Sequence, residues 1–103
     1  MDRVEKLQEF LRENPADSFV QHALALEYIK AGNDPEAQKL FENILQHEPG
    51  YVGSYYHLAK LFERNGNIES AIKWYEKGME QAKQKGEDKA YGELRSAYEE
   101  LTF

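Results

Sequence analysis

Apolar side chains recur at steps of three and four residues along most of this chain, which is the spacing of helices that bury one face. In 17–31, for example, Val20 and Leu24 belong to one such apolar stripe. Gly32 follows at once, and glycine readily adopts the left-handed conformation that ends helices. Pro35, two residues after an asparagine, fits the first turn of a new helix. The pattern therefore predicts one helix ending before Gly32 and another beginning at about residue 34.

The same reasoning extends to the whole chain of 103 residues and predicts six helices. Their expected ranges are about 2–13, 17–31, 34–47, 51–65, 68–84 and 88–101. Only two or three residues join the second helix to the third and the fourth to the fifth, so each pair is expected to run antiparallel. The length suits one domain with one core.

An internal repeat organises these helices. A shift of 34 residues superimposes apolar, small and glycine positions of the first hairpin on those of the second. The last helix matches with a shift of 36, so that Leu94 falls on Leu58. The pairs related by the shift of 34 include Leu24 with Leu58, Ala25 with Ala59, Gly32 with Gly66, Ala37 with Ala71 and Phe41 with Tyr75.

The repeated unit resembles the tetratricopeptide repeat, a pattern of 34 residues with Leu-small, an aromatic, Ala, a second aromatic and Pro at fixed places. The residues that carry the resemblance are Leu24-Ala25-x-x-Tyr28, Ala37-x-x-x-Phe41, Pro49, Tyr55-x-x-Leu58-Ala59-x-x-Phe62 and Ala71-x-x-x-Tyr75. Three positions depart from it: Gln21 replaces a large aromatic, Gly78 a residue that is often Ala, and Lys83 the second proline. Loss of that proline predicts a longer fifth helix.

The resemblance implies an all-α fold, a right-handed α-solenoid of antiparallel helix hairpins. We expect a single domain over 1–103. Its predicted parts are a half-unit helix at 2–13, repeat one at 18–51, repeat two at 52–85 and a C-terminal capping helix at 86–103. Arg95 stands where the repeats have a small alanine, which predicts a solvated outer face for the last helix.

The resemblance also implies a function, because the first helix of each such hairpin lines a concave surface. We expect a non-catalytic module that binds a peptide segment of a partner protein in that groove. The alternative is a structural homo-oligomer, for example a homodimer, in which the groove face packs on a second copy. The residues expected to line the groove are Phe19, His22, Leu26, Ile29, Tyr56, Lys60, Glu63, Arg64, Lys89 and Ser96.

Two of these positions have a second interpretation. Leu26 and Ile29 either contribute apolar surface to the groove or pack against the N-terminal helix. Tyr56 and His22 fit the groove better, and tyrosine is a good anchor because it buries a large area at a small cost in side-chain entropy.

One subclass of the family grips chaperone C-terminal carboxylates with Lys, Asn, Asn, Lys and Arg. Only one of the matching places, Lys89, holds a fitting residue here, and Glu93 would repel an acidic tail. We therefore do not expect that specificity. The five matching places hold His22, Leu26, His57, Lys89 and Glu93.

Composition and short motifs argue against several other classes of function. The net charge of −6 argues against nucleic-acid binding. With no cysteine and three histidines outside metal-ligand spacing, neither a metal nor a cofactor is expected. No nucleophile setting or phosphate-binding loop is recognisable, so we do not expect an enzyme. The absence of an apolar stretch long enough for a membrane span or a signal peptide predicts a cytoplasmic protein that does not bind membranes.

Overall fold

The computed structural model describes residues 2–103, and within this range it contains six helices and no strand. The prediction of an all-α helical repeat fold is thus confirmed, and the helix ends agree with those expected to within two residues. The helices are α1 (Arg3–Glu13), α2 (Ser18–Lys30), α3 (Asp34–His47), α4 (Gly53–Arg64), α5 (Ile68–Lys85) and α6 (Asp88–Thr102).

Side-chain caps and glycines fix the helix boundaries. Four helices begin with an Asp or Asn side chain that accepts a hydrogen bond from a backbone N–H of the first turn, which would otherwise lack a partner. Gly32 and Gly66 follow α2 and α4 with φ of 78° and 84°, a conformation that costs other residues free energy. The four caps are Asp2 of α1, Asp17 of α2, Asn33 of α3 and Asn67 of α5.

The chain divides into two compact units, and the first ends at Glu48. In it, α2 packs against both α1 and α3. Because three residues connect α2 to α3, the two helices run antiparallel. Ala25 of α2 and Phe41 and Ile44 of α3 are fully buried in this unit. Small side chains here allow the helix axes to approach to about 8–10 Å.

The second unit runs from Pro49 to Phe103, with α5 packed against α4 and α6. Ala59 and Ala71 are fully buried, in agreement with the close helix approach expected from the repeat. Leu58, Tyr75 and Leu94 are the large side chains at its centre. The organisation of 1–103 as a single domain stays a prediction.

Two features of the second unit follow the departures from the repeat. Without the proline at Lys83, α5 extends to 18 residues, whereas α3 has 14. Arg95 is exposed on α6 and lies 3.4 Å from the Glu99 carboxylate, as a solvated outer face requires. Of the helices described, none combines the length and the apolar composition that crossing a bilayer would take.

Candidate functional site

In the first unit, three of the predicted groove residues, Phe19, His22 and Leu26, line one hollow of about 390 Å³. Phe19 is 72% exposed, which is unusual for a phenylalanine on a helix with a buried face. The remaining wall residues are Arg3, Ala23, Glu27 and Lys30. This hollow therefore offers an open apolar surface bordered by charged groups.

At the border of the first hollow, one carboxylate is shared by two basic side chains, which leaves a net charge of +1. The Glu27 carboxylate lies 3.5 Å from Nε of Arg3 and 3.2 Å from Nζ of Lys30. Ile29, the fourth groove residue predicted in this unit, is half-buried and does not line the hollow. Leu26 is also half-buried but does line it, so its side chain is available on this surface.

In the second unit, the predicted groove residues Tyr56, Lys60 and Ser96 line a hollow of about 240 Å³ between α4 and α6. Glu93, Ala97 and Glu100 complete its wall. An adjoining hollow of about 150 Å³ shares Tyr56 and Glu93 with it and also has His57 in its wall. The first helix of the second hairpin and the last helix thus present a common surface.

Hydrogen bonding and charge pairing hold Glu63 and Lys60 in place. Oε1 of Glu63 accepts a hydrogen bond of 3.0 Å from the Tyr75 hydroxyl and lies 3.6 Å from Nζ of Lys60. The Lys60 ammonium is also 5.6 Å from the centroid of the Tyr56 ring. The positive charge of Lys60 is therefore offset within the same helix.

Burial shifts the pKa values of two groups beside this surface. It raises the pKa of Tyr75, and the hydrogen bond to Glu63 raises it further, because a phenolate would face a carboxylate. Burial lowers the pKa of His57, since the charged imidazolium is the less favourable form away from water. The neutral forms of both side chains are therefore favoured near pH 7.

Three predicted groove residues lie outside the hollows. Lys89 is exposed near the start of α6 and Arg64 at the end of α4, and neither lines the two hollows described in this unit. Glu63 contacts Lys60 and Tyr75 but is likewise outside the wall. The structure brings together Tyr56, Lys60 and Ser96 in one wall, with Glu63 paired to Lys60 behind it.

The residues expected to line the groove included neither Glu93 nor Glu100, although Glu93 was identified at a place matching the carboxylate-binding clamp. The four α6 residues of the larger hollow, 93, 96, 97 and 100, are spaced i, i+3, i+4 and i+7 and so share one helix face. A signal was available for Glu100, because the shift of 36 places it on Arg64, which was predicted to line the groove. Within residues 2–103, neither carboxylate makes an ion pair or a side-chain hydrogen bond.

A further hollow of about 300 Å³ lies in the first unit at Gln21, the position where the repeat usually has an aromatic residue. The Gln21 amide donates to the carbonyl of Pro15 at 2.6 Å, and its carbonyl oxygen accepts from Asn43 at 3.0 Å. In the second unit the equivalent Tyr55 donates its hydroxyl to the carbonyl of Pro49 at 2.5 Å. The proline carbonyls at equivalent positions of the two units, Pro15 and Pro49, therefore accept hydrogen bonds from different side chains.

The side chains that line these hollows are of the kinds found where proteins bind other protein chains. Aromatic and aliphatic walls with a few charged groups are typical of surfaces that bind side chains of another chain. Among residues 2–103 there is no cluster of three or more His, Asp or Glu side chains arranged to hold a metal ion.

Comparison with known proteins adds two findings. A sequence model described as tetratricopeptide repeat matches residues 28–98. The crystal structure of a tetratricopeptide repeat domain protein from Salinibacter ruber is 41% identical, with a TM-score of 0.80 over 84% of this chain and 96% of that one. Its solution structure gives a TM-score of 0.81 over 84% of this chain and 88% of that one, at the same identity.

A protein from Bordetella parapertussis shares the fold at lower identity. Its solution structure superimposes with a TM-score of 0.84 over 99% of this chain and 89% of that one, at 20% identity. This likeness concerns the fold alone.

Proposed function

The chain belongs to the tetratricopeptide repeat family, a fold that generally mediates protein–protein interaction, and from this premise we propose that it binds a peptide segment of a partner protein without catalysing a reaction. In this proposal each unit offers its own contact surface, formed by the predicted groove residues of that unit. The observation that carries it is the grouping of Phe19, His22 and Leu26 around one open hollow, with Phe19 largely exposed.

The exposure of Phe19 supports binding on energetic grounds. Covering apolar surface contributes about 25 cal/mol per Å², so complete burial of an exposed phenylalanine contributes at most about 1.5–3 kcal/mol before the costs of association. At the border of this hollow the Glu27 carboxylate is already paired with Arg3 and Lys30. A partner can therefore cover the apolar floor without leaving this carboxylate unpaired, which would be costly.

Tyr56 supports the same proposal in the second unit, although it also stabilises the fold. Its ring lies 6.4 Å from that of Tyr75 and 5.6 Å from that of His57, in edge-to-face arrangements. Removing it would disturb these contacts as well as the surface. Phe19 is the better residue for a test, because its substitution leaves the buried core intact.

The experiment selects short linear peptides from a random display library on the immobilised chain and measures their Kd by fluorescence anisotropy. We expect Phe19→Ala to weaken the selected peptides by at least about 1 kcal/mol, or about fivefold in Kd. Phe103→Ala is the matched control: Phe103 is 95% exposed, is not among the predicted groove residues and should leave Kd unchanged.

The alternative, a groove face that packs on a second copy, is an outcome of the same work. In that case light scattering at micromolar concentration would show a dimer, and Phe19→Ala would convert the dimer to a monomer. No peptide would then be selected on the unaltered chain, because the second copy covers the surface. If peptides bind with equal affinity to Phe19→Ala and to the unaltered chain, the proposed surface is wrong. The absence of enzyme activity and the cytoplasmic location stay predictions.

A further inference from the structure

The hollow between α4 and α6 carries unbalanced negative charge. Of its six wall residues only Lys60 is basic, and its charge is offset by Glu63 at 3.6 Å. Glu93 and Glu100 face the same hollow, and within residues 2–103 neither forms an ion pair or a side-chain hydrogen bond. An uncovered hollow tolerates this arrangement because water solvates both carboxylates.

Covering the hollow changes that balance. A partner that excludes water from Glu93 and Glu100 removes their solvation, which is costly unless the partner supplies a positive charge or hydrogen-bond donors. An acidic side chain would add repulsion, and a purely apolar one would leave the carboxylates unpaired. A basic side chain satisfies them, and the aromatic and methyl surfaces of Tyr56 and Ala97 can pack against its methylene stem.

We propose that this hollow receives a lysine or arginine side chain of the bound peptide, whose positive charge pairs with Glu93 and Glu100. The inference rests on the proposed function, because it names the chemistry of the peptide that the chain binds. Arginine is favoured over lysine, since its planar guanidinium has donors enough for two carboxylates. A basic side chain complements the negative charge of this hollow, whereas an acidic one would be repelled.

The experiment extends the peptide selection described above. Peptides selected on the unaltered chain are compared with those selected on the double variant Glu93→Gln/Glu100→Gln, which keeps the size of both side chains. The matched control is Glu9→Gln/Glu13→Gln, which makes the same change of net charge at two exposed positions of α1. Circular dichroism checks that each variant is folded.

We expect the peptides selected on the unaltered chain to share a basic residue at one position. Replacing that residue by the neutral isostere citrulline, or by glutamine where it is lysine, should weaken binding about tenfold at low salt. On Glu93→Gln/Glu100→Gln the same replacement should change Kd less than about twofold, whereas the control variant should retain the full effect. Added salt should weaken binding to the unaltered chain more than to the double variant.

Two results would overturn this inference by itself. In the first, the selected peptides lack a shared basic residue but still depend on Phe19. In the second, neutralising the basic residue costs as much on the double variant as on the unaltered chain. In both cases the proposed function stands. If no peptide is selected, the proposed function is wrong and this inference fails with it. If Phe19→Ala alone leaves Kd unchanged, the proposed surface of the first unit is wrong, and the comparison with Glu93→Gln/Glu100→Gln still decides this inference.

Discussion

The Tyr75 hydroxyl donates a hydrogen bond of 3.0 Å to the carboxylate of Glu63. Tyr75 is completely buried on α5, and Glu63 is half-buried near the end of α4. The shift of 34 residues places Phe41 and Ile29 at the equivalent positions of the first unit. The hydroxyl and the carboxylate are thus present together in one unit and replaced together by apolar groups in the other.

Removing this hydroxyl should destabilise the protein moderately. Tyr75→Phe deletes a hydrogen bond to a charged group, and the ring still fits because Phe41 occupies the equivalent site. We expect a loss of about 1–2 kcal/mol in the free energy of unfolding, measured with urea. In the background of Glu63→Ile, the same substitution should cost at least about 0.5 kcal/mol less. Equal costs in the two backgrounds would show that the two side chains do not stabilise each other.

The same tyrosine predicts a loss of stability at alkaline pH. In the unfolded chain a tyrosine deprotonates near pH 10, whereas burial and Glu63 raise the pKa of Tyr75 in the folded protein. Its contribution is therefore fully present below about pH 10 and is lost as the pH rises above that value, because the unfolded state then binds fewer protons. Urea unfolding between pH 9 and about 11.5 should show a shallower decline for Tyr75→Phe than for the unaltered chain. Parallel declines would contradict the assignment.

Burial of His57 predicts a loss of stability at acidic pH, whereas Tyr75 predicts one at alkaline pH. Burial lowers its pKa in the folded protein, while the unfolded chain titrates near pH 6.5. The stability that His57 contributes is complete above about pH 6.5 and is lost as the pH falls through the folded pKa. Melting temperatures measured between pH 7 and about 5 should therefore fall less for His57→Gln than for the unaltered chain. A fall of the same size in both proteins would mean that another group is responsible.

Two glycine-to-alanine substitutions should have effects of opposite sign. A Cβ added at Gly78 would lie 2.7 Å from Cβ of Tyr55 and 3.1 Å from Cδ1 of Leu94, so the helices must shift. We expect Gly78→Ala to lower the free energy of unfolding by about 1–3 kcal/mol, although alanine favours the helix.

Gly92→Ala is the matched control for this steric argument. Gly92 is exposed on α6, and a Cβ there would meet no atom within 4 Å. The substitution should raise the free energy of unfolding by up to about 1 kcal/mol through helix propensity alone. Stabilisation by both substitutions would show that Gly78 is not required for close packing.

The helices could be predicted from sequence because local chemistry determines their ends. The asparagine caps at Asn33 and Asn67 and the positive φ of Gly32 and Gly66 depend only on neighbouring residues. The buried alanines were predictable for a related reason, since the repeat places them where helices meet. Such features recur at a fixed spacing and need no knowledge of the folded chain.

The polar details of the surface could not be predicted in the same way. The hydrogen bond from Tyr75 to Glu63 joins two helices, and the sequence around either residue does not indicate it. The hollow at Glu93 and Glu100 depends on how α6 is rotated against α4, which the changed offset of 36 residues left uncertain by a fraction of a turn. Exposure of Phe19 is likewise a property of the packed helices and not of its neighbours in sequence.

The contact of Gly78 with Tyr55 bears on how duplicated hairpins diverge. In the first unit, Ile44 takes the place of Gly78 and Gln21 the place of Tyr55. The larger apolar side chain is therefore on the second helix of the first hairpin and on the first helix of the second hairpin. A tyrosine introduced opposite Ile44, or an isoleucine opposite Tyr55, would clash with a neighbour that was suitable for the earlier occupant. A consensus sequence that chooses the residue at each of these two repeat positions independently would combine side chains that do not fit together. Designers who recombine hairpins of this family should therefore exchange both positions at once.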